Sequence, residues 1–139
     1  IHQCMLAGMH AYVWWYIVRF YGPIGEDGNV TKRGYVMSQF ARFVRPGYHR
    51  VACFPTPQRY VVLSAYKDPL GSRVVIVALN TGTSPVQQIF SMTSGSLTAF
   101  TSYTTSQTRN CAVGGEIAVV NGAFAATLEP SSITTFVSK

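Results

Sequence analysis

Residues 14–22 contain the side chains with the clearest potential for chemistry: an indole, a guanidinium and a phenol at alternate positions. If this stretch is a strand, Trp15, Ile17, Arg19 and Tyr21 lie on one side of it. Such a surface suits a sugar that carries a carboxylate, because Trp offers a flat apolar face and Arg offers a planar fork of donors. The tyrosine adds a hydroxyl. The alternative is that the tryptophans belong to a core and the arginine caps the end of a sheet.

Other catalytic motifs are missing from the sequence, which has no Gly-rich phosphate loop, no His-Glu-x-x-His and no Gly-x-Ser-x-Gly. Glycosidases hold two carboxyl groups about 5–10 Å apart across a sugar cleft, and the five carboxylates offer no obvious pair. Glu26 and Asp27 share a turn-rich loop and are interpreted as solvated, whereas Glu116 and Glu129 fall at predicted strand ends. The histidines are isolated, and the three widely spaced cysteines are interpreted as free, buried thiols, not zinc ligands.

The first 46 residues predict an α/β arrangement. Residues 1–8 are typical of the last turns of a helix that ends at Gly8, so the chain is expected to begin within a larger fold. Residues 10–18 are apolar or aromatic at nearly every position, as in a strand buried on both faces. After a Gly-rich loop, the apolar stripe of residues 33–44 predicts a helix. Because one βα unit cannot close a sheet by itself, these residues imply a missing body.

Beyond residue 47 the apolar period changes to two, which predicts an antiparallel β-sandwich. The predicted strands are residues 48–54, 59–66, 73–79, 86–92, 97–103, 116–120, 123–128 and 133–137. Asn121 and Gly122 form the strongest hairpin signal, because both residue types tolerate the positive φ of a type I′ turn.

Composition limits the class of protein. The chain has 139 residues, of which 47% are hydrophobic and 12% charged; these values indicate a globular core and exclude disorder and a coiled coil. The longest apolar run, residues 11–18, is too short for a membrane-spanning helix. The net charge of +6 would suit nucleic acid, but the arginines are spread along the chain without a cluster. We therefore predict no membrane or nucleic-acid partner, and no cofactor or metal.

Several stretches together resemble a known enzyme family. They are residues 11–17, Arg19, residues 21–23, 26–28 and 32–35, Phe40, and residues 43–48, 62–66, 74–80 and 132–137. In these stretches the chain closely resembles the end of the catalytic unit of glycoside hydrolase family 30 glucuronoxylanases. The resemblance covers nearly the whole chain and is most specific in the first 48 residues.

The resemblance implies a C-terminal fragment of a (β/α)8 TIM barrel followed by an antiparallel β-sandwich. Residues 1–46 would be the last βα unit of the catalytic barrel, and residues 47–139 the attached side domain. It further implies a secreted, extracellular enzyme with a retaining mechanism, whose two catalytic glutamates lie upstream of Ile1. The 139-residue chain alone is therefore expected to be inactive.

The same resemblance implies roles for individual residues. Trp15 would form the floor of the cleft near the cleaved bond, while Arg19 and Tyr21 would bind the glucuronic acid side group of the xylan. Val18 and Phe20 depart from the family's pattern, which has Arg and Ser there, and loss of the small polar residue is expected to weaken the uronate site.

The expected function is thus part of an endo-β-1,4-xylanase for glucuronoxylan. Its expected partners are xylan with glucuronic acid decorations and the N-terminal part of the barrel. The alternative is a stand-alone β-sandwich that binds carbohydrate without catalysis.

Overall fold

A computed structural model describes residues 1–93 and 95–139 of the chain. The described residues form two α-helices and eight β-strands. The helices are α1 (His2–Leu6) and α2 (Lys32–Ala41), and the strands are β1 (His49–Val51), β2 (Val61–Lys67), β3 (Val74–Asn80), β4 (Val86–Ser91), β5 (Ala99–Thr105), β6 (Ala112–Ala118), β7 (Ala123–Leu128) and β8 (Ser132–Ser138). No helix in these two ranges is long and apolar enough to cross a membrane.

The strands form two antiparallel sheets. The larger has the order β1-β2-β3-β8-β5-β6, and the smaller consists of β4 and β7. Their facing side chains form one core, in which the Phe124 ring lies 4.6 Å from Phe90, 4.7 Å from Phe100 and 5.3 Å from Phe136, measured between centroids. Burial of these large rings is the main stabilising contribution to this half of the fold. The prediction of an antiparallel β domain is confirmed.

The opposite face of the larger sheet is covered by the helices. Phe40 of α2 packs in a second core with Tyr66, Val75, Val77 and Ile133 of the sheet. The central strands are therefore buried on both faces, and their sequences are correspondingly apolar at successive positions. The two helices are thereby attached to the β domain through a continuous apolar contact.

A buried amide adds polar contacts to this apolar one. The side chain of Gln39 on α2 is fully buried. With its amide oxygen assigned toward Thr105, it accepts hydrogen bonds from the backbone nitrogen (3.2 Å) and hydroxyl (2.8 Å) of that residue. Its nitrogen then donates to the carbonyl of Tyr103 (3.1 Å) and to Thr135 Oγ1 (2.6 Å). Because β5 and β8 both bond to one side chain, Gln39 determines where α2 sits along the sheet.

The structure does not form the strand predicted for residues 10–18. Val18 makes an isolated parallel bridge with Ile24, and the preceding residues have no regular pairing. Val13 and Trp15 are exposed, whereas the prediction was burial on both faces. The physical reason is that such a strand needs partners on both edges, and no described strand lies beside these residues.

Three smaller expectations are met in part. The predicted helix of residues 33–44 is α2, which ends at Ala41, and the chain then turns with Val44 N donating to Phe40 O (2.8 Å). The tight turn predicted at Asn121 and Gly122 is confirmed: both residues have positive φ values, 51° and 73°, and Val120 and Ala123 exchange two backbone hydrogen bonds (2.8 and 3.0 Å) across them. Beyond this bridge the flanking strands β6 and β7 pair in different sheets. The cysteine thiols are free, but Cys53 is exposed and the other two are half-buried, so the prediction of buried thiols was wrong.

We expect the change Gln39→Met to lower the free energy of unfolding by about 1–3 kcal/mol, because it leaves buried partners of the amide without a hydrogen bond. Urea unfolding followed by circular dichroism measures this loss. Gln87→Met, on an exposed position of β4, is the matched control and should change stability by less than about 0.5 kcal/mol. Equal losses in the two variants would contradict the role of Gln39.

Candidate functional site

The exposed aromatic segment preceding Gly22 contains the three predicted site residues. Its end is anchored to the following loop, because Arg19 N donates to Ile24 O (3.1 Å) and Ile24 N donates to Ile17 O (3.0 Å). Both Trp15 and Phe20 are more than 70% exposed. Two large aromatic side chains are therefore exposed, Phe20 within the hydrogen-bonded residues 17–24 and Trp15 just before them, which is unusual for side chains of this size.

Trp15 and Arg19 are brought into one cluster by a third residue, Tyr16. The Tyr16 ring lies 4.2 Å from the Trp15 ring between centroids, and the Arg19 guanidinium carbon lies 5.2 Å from the centre of the Tyr16 ring. A guanidinium at this distance from an aromatic ring is attracted by the ring quadrupole. Tyr16 carries no sequence signal for this site, because strict alternation places it on the opposite side of a strand.

Tyr21 is positioned separately. Its ring is half-buried and packs edge-on against Phe20 at 4.9 Å between centroids. The turn that follows is tight: Gly22 N donates to Arg19 O (2.8 Å), and a Cβ at Gly22 would lie 2.5 Å from Ile17 O. Only glycine fits there. The structure thus joins Trp15 and Arg19 through Tyr16 and places Tyr21 next to them in the chain, with its ring on Phe20.

Thr31 holds the turn to α2. Its hydroxyl donates to Gly22 O (2.6 Å) or to Pro23 O (3.1 Å), and the same oxygen accepts from Gly34 N (3.3 Å) at the start of the helix. Gly34 also approaches Pro23 closely, since a Cβ there would lie 2.3 Å from Pro23 O. The backbone that carries Arg19 and Tyr21 is therefore fixed to the first turn of α2.

Glu26 is the residue whose role the sequence interpretation missed. It was interpreted as solvated, and its side chain is indeed exposed, but Oε1 lies 3.5 Å from Arg19 Nη1. A carboxylate seven residues after an arginine, on the far side of a Gly-Pro turn, is the sequence signal for this pair. Asp27 differs, because hydrogen bonds from the side chain and backbone of Asn29 lower its pKa below the usual value.

Each of the other carboxylates also has a partner within the described chain. Asp68 accepts from Ser72 Oγ (2.8 Å) and Arg73 N (2.9 Å), Glu129 pairs with Arg109 (2.8 Å), and Glu116 pairs with Lys139. These contacts are structural and lie in separate turns and strands. Among residues 1–93 and 95–139, no cluster of His, Cys, Asp and Glu could hold a metal ion. The arrangement of Trp15, Tyr16 and Arg19 suits binding of an anionic ring compound, not cleavage of a bond.

Comparisons with known proteins give the class of this fold. No family model matches the chain. Among solved structures, a GH30 endoxylanase from Clostridium papyrosolvens C71 is 45% identical with a TM-score of 0.94, covering 99% of this chain and 36% of that one. The subfamily 8 xylanase Xyn30A of the same family, from Clostridium acetobutylicum, is 39% identical with a TM-score of 0.93 over the same shares. The chain is thus homologous, along nearly its whole length, to the C-terminal region of glycoside hydrolase family 30 xylanases.

Curated relatives specify the homology further. Glucuronoxylanase XynC of Bacillus subtilis is 44% identical over 140 residues, covering 100% of this chain and 33% of the relative. The same enzyme of strain 168 is 44% identical over 138 residues. The chain therefore spans about a third of the length of the curated relatives it matches. The family resemblance inferred from the sequence is confirmed.

We expect Thr31→Val to loosen the turn that carries Arg19 and Tyr21. The variant keeps the shape of the side chain but removes its hydrogen bonds, at a cost of about 1 kcal/mol in stability. Hydrogen–deuterium exchange should show faster exchange of the amides of Arg19 and Ile24. Thr31→Ser, which keeps the hydroxyl, should restore most of the protection; loss of protection in both variants alike would refute the role of the hydroxyl.

Proposed function

We propose that this chain is the C-terminal part of a retaining endo-β-1,4-xylanase that acts on glucuronoxylan and supplies part of its substrate site. The observation that carries the proposal is the 44% identity to a glucuronoxylanase along the full chain. The exposed cluster of Trp15, Tyr16 and Arg19 supports it independently, because it has the apolar face and the donors that a charged sugar requires.

In this function Arg19 binds the carboxylate of a glucuronic acid side group, with Tyr21 adding a hydroxyl. The guanidinium is half-exposed, and its contact with Glu26 is a single one at 3.5 Å, so most of its donors remain for a ligand. Trp15 is 72% exposed and offers its indole face to a xylose ring near the cleaved bond. Catalysis then comes from two glutamates upstream of this chain, in agreement with the structural partners of the carboxylates described above.

We also propose that residues 1–46 are the last βα unit of a (β/α)8 barrel, and that residues 47–139 are its side domain. The open aromatic segment supports this proposal, since residues 10–18 have the composition of a buried strand but lie exposed. A neighbouring strand on each edge would cover their backbone groups. We also propose that the protein is secreted, because its proposed substrate, glucuronoxylan, is part of plant cell walls outside the cell.

A stand-alone carbohydrate-binding sandwich is less well supported. It would require flat aromatic side chains on the β domain, and the exposed aromatic residues described there are Phe54 and Tyr60. Arg59 lies over the Tyr60 ring at 4.7 Å and covers one of its faces. The aromatic surface open to a sugar is in residues 10–20 instead.

In the complete enzyme, Arg19→Ala should lower kcat/KM on glucuronoxylan roughly ten- to a hundredfold, the scale of a charge-assisted pair of hydrogen bonds. Activity on undecorated xylan should barely change. Arg19→Lys should recover part of the loss, because a point charge does not reproduce the planar fork. Both specificity constants and the melting temperature are measured for each variant. An unchanged ratio between the two substrates, with a lower melting temperature, would reduce Arg19 to a structural residue.

The 139-residue chain alone should release no reducing sugar from xylan. Without a nucleophile and an acid it has neither the covalent route nor protonation of the leaving group, each worth orders of magnitude in rate. The measurement compares the purified chain with a heat-killed sample of the same chain. Release above that control would contradict the assignment of the catalytic glutamates to an upstream segment.

A further inference from the structure

Glu26 contacts Arg19, the side chain that the proposed function assigns to the sugar carboxylate. We propose that Glu26 is a specificity-determining residue, an internal counter-ion whose competition for Arg19 sets how strongly the site prefers charged over uncharged xylan. This inference rests on the proposed function of Arg19 and adds a competing group to it.

The contact between the two residues is of the kind that a ligand displaces. It joins one carboxylate oxygen to one guanidinium nitrogen at 3.5 Å, and the two side chains are 51% and 60% exposed. An exposed pair with this geometry contributes little to stability, so its loss on ligand binding costs little. A sugar carboxylate that accepts hydrogen bonds from two guanidinium nitrogens at shorter distance would bind Arg19 with better geometry than Glu26 does.

The backbone keeps Glu26 beside Arg19 even when the pair opens. Ile24, two residues earlier, accepts from Arg19 N, and Gly25 N donates to Asn29 O (2.8 Å) across the turn. Gly28 N closes the same turn on Gly25 O (2.9 Å). Glu26 thus lies in a hydrogen-bonded turn of residues 25–29. Ile24, which comes directly before this turn, is hydrogen-bonded to the backbone of Arg19.

Charge selects Glu26 as the residue of this loop that acts on the ligand. The neighbouring Asp27 is bonded to Asn29 through both carboxylate oxygens, at 3.0 and 2.9 Å, and is thereby part of the turn. Among the described residues, the recorded partner of the Glu26 carboxylate is the Arg19 guanidinium, and a second carboxylate that approaches the same guanidinium is repelled by the first. An uncharged xylan chain experiences no such repulsion. Glu26 therefore reduces the preference for the decorated polymer while leaving binding of the plain polymer unaffected.

The test is Glu26→Gln in the complete enzyme, assayed on glucuronoxylan and on undecorated xylan. We expect kcat/KM on glucuronoxylan to rise about two- to fivefold through a lower KM, the scale of an exposed ion pair, with kcat unchanged. Activity on undecorated xylan should stay the same. The gain should shrink at high salt, which screens exposed charges.

Asp27→Asn is the matched control. It removes the same charge one residue away, and its remaining side-chain oxygen still accepts from Asn29 N, so kcat/KM should stay at the wild-type value. A second control is the double variant Arg19→Ala with Glu26→Gln, in which the gain should disappear because the interaction it relieves is gone.

The outcomes separate this inference from the function on which it rests. If Arg19→Ala loses equally on both xylans, the uronate site itself is refuted and the role of Glu26 is refuted with it. If Arg19→Ala is selective but Glu26→Gln leaves the preference unchanged or lowers it, only the competition is refuted. A gain of equal size in Asp27→Asn would attribute the effect to general charge and would also overturn the proposal.

Discussion

The contact between α2 and the outer face of the larger sheet holds the two parts of this molecule together. Phe40 supplies the apolar part of the contact, and Gln39 bonds to both β5 and β8 at its centre. A buried amide that loses its hydrogen-bond partners costs free energy. A shift of α2 along the sheet would break these bonds, so the contact favours one position of the helix. The aromatic segment and its arginine are connected to the β domain through this helix, so their position depends on its contact with the sheet.

From Gln39 to Arg19 the structure forms a continuous series of short-range constraints. The helix starts at Thr31, whose hydroxyl bonds to the turn at Gly22 and Pro23, and that turn is closed on Arg19 by a backbone hydrogen bond. Of these residues, Gln39, Thr31, Gly22 and Pro23 need not touch a ligand. Together they explain how half-exposed side chains are presented from a backbone that has no regular secondary structure of its own.

The β domain was largely predictable from the sequence, because its apolar residues alternate and its turns carry Gly, Asn and Pro. The helix of residues 33–44 was predicted for a similar reason, from its apolar stripe. The strand predicted for residues 10–18 was not observed. The apolar composition of this segment indicates that it is suited to burial, but it does not show whether partner strands are present. The contacts of Tyr16 and Glu26 with Arg19 also escaped prediction, because they depend on how a turn folds back and not on the spacing of residues within one element.

The turn at Asn121 and Gly122 leads the chain from one sheet to the other, which makes the small sheet a long-range pairing. β4 pairs with β7, and the chain between them contains β5 and β6, which belong to the larger sheet. The small sheet is therefore a pairing of distant segments, and closing the chain between them costs more conformational entropy than closing a hairpin. Phe90 and Phe124 are carried by these two strands, so the aromatic core closes when the small sheet docks. The stacked rings of Phe90 and Phe124 therefore join segments that lie far apart in the sequence.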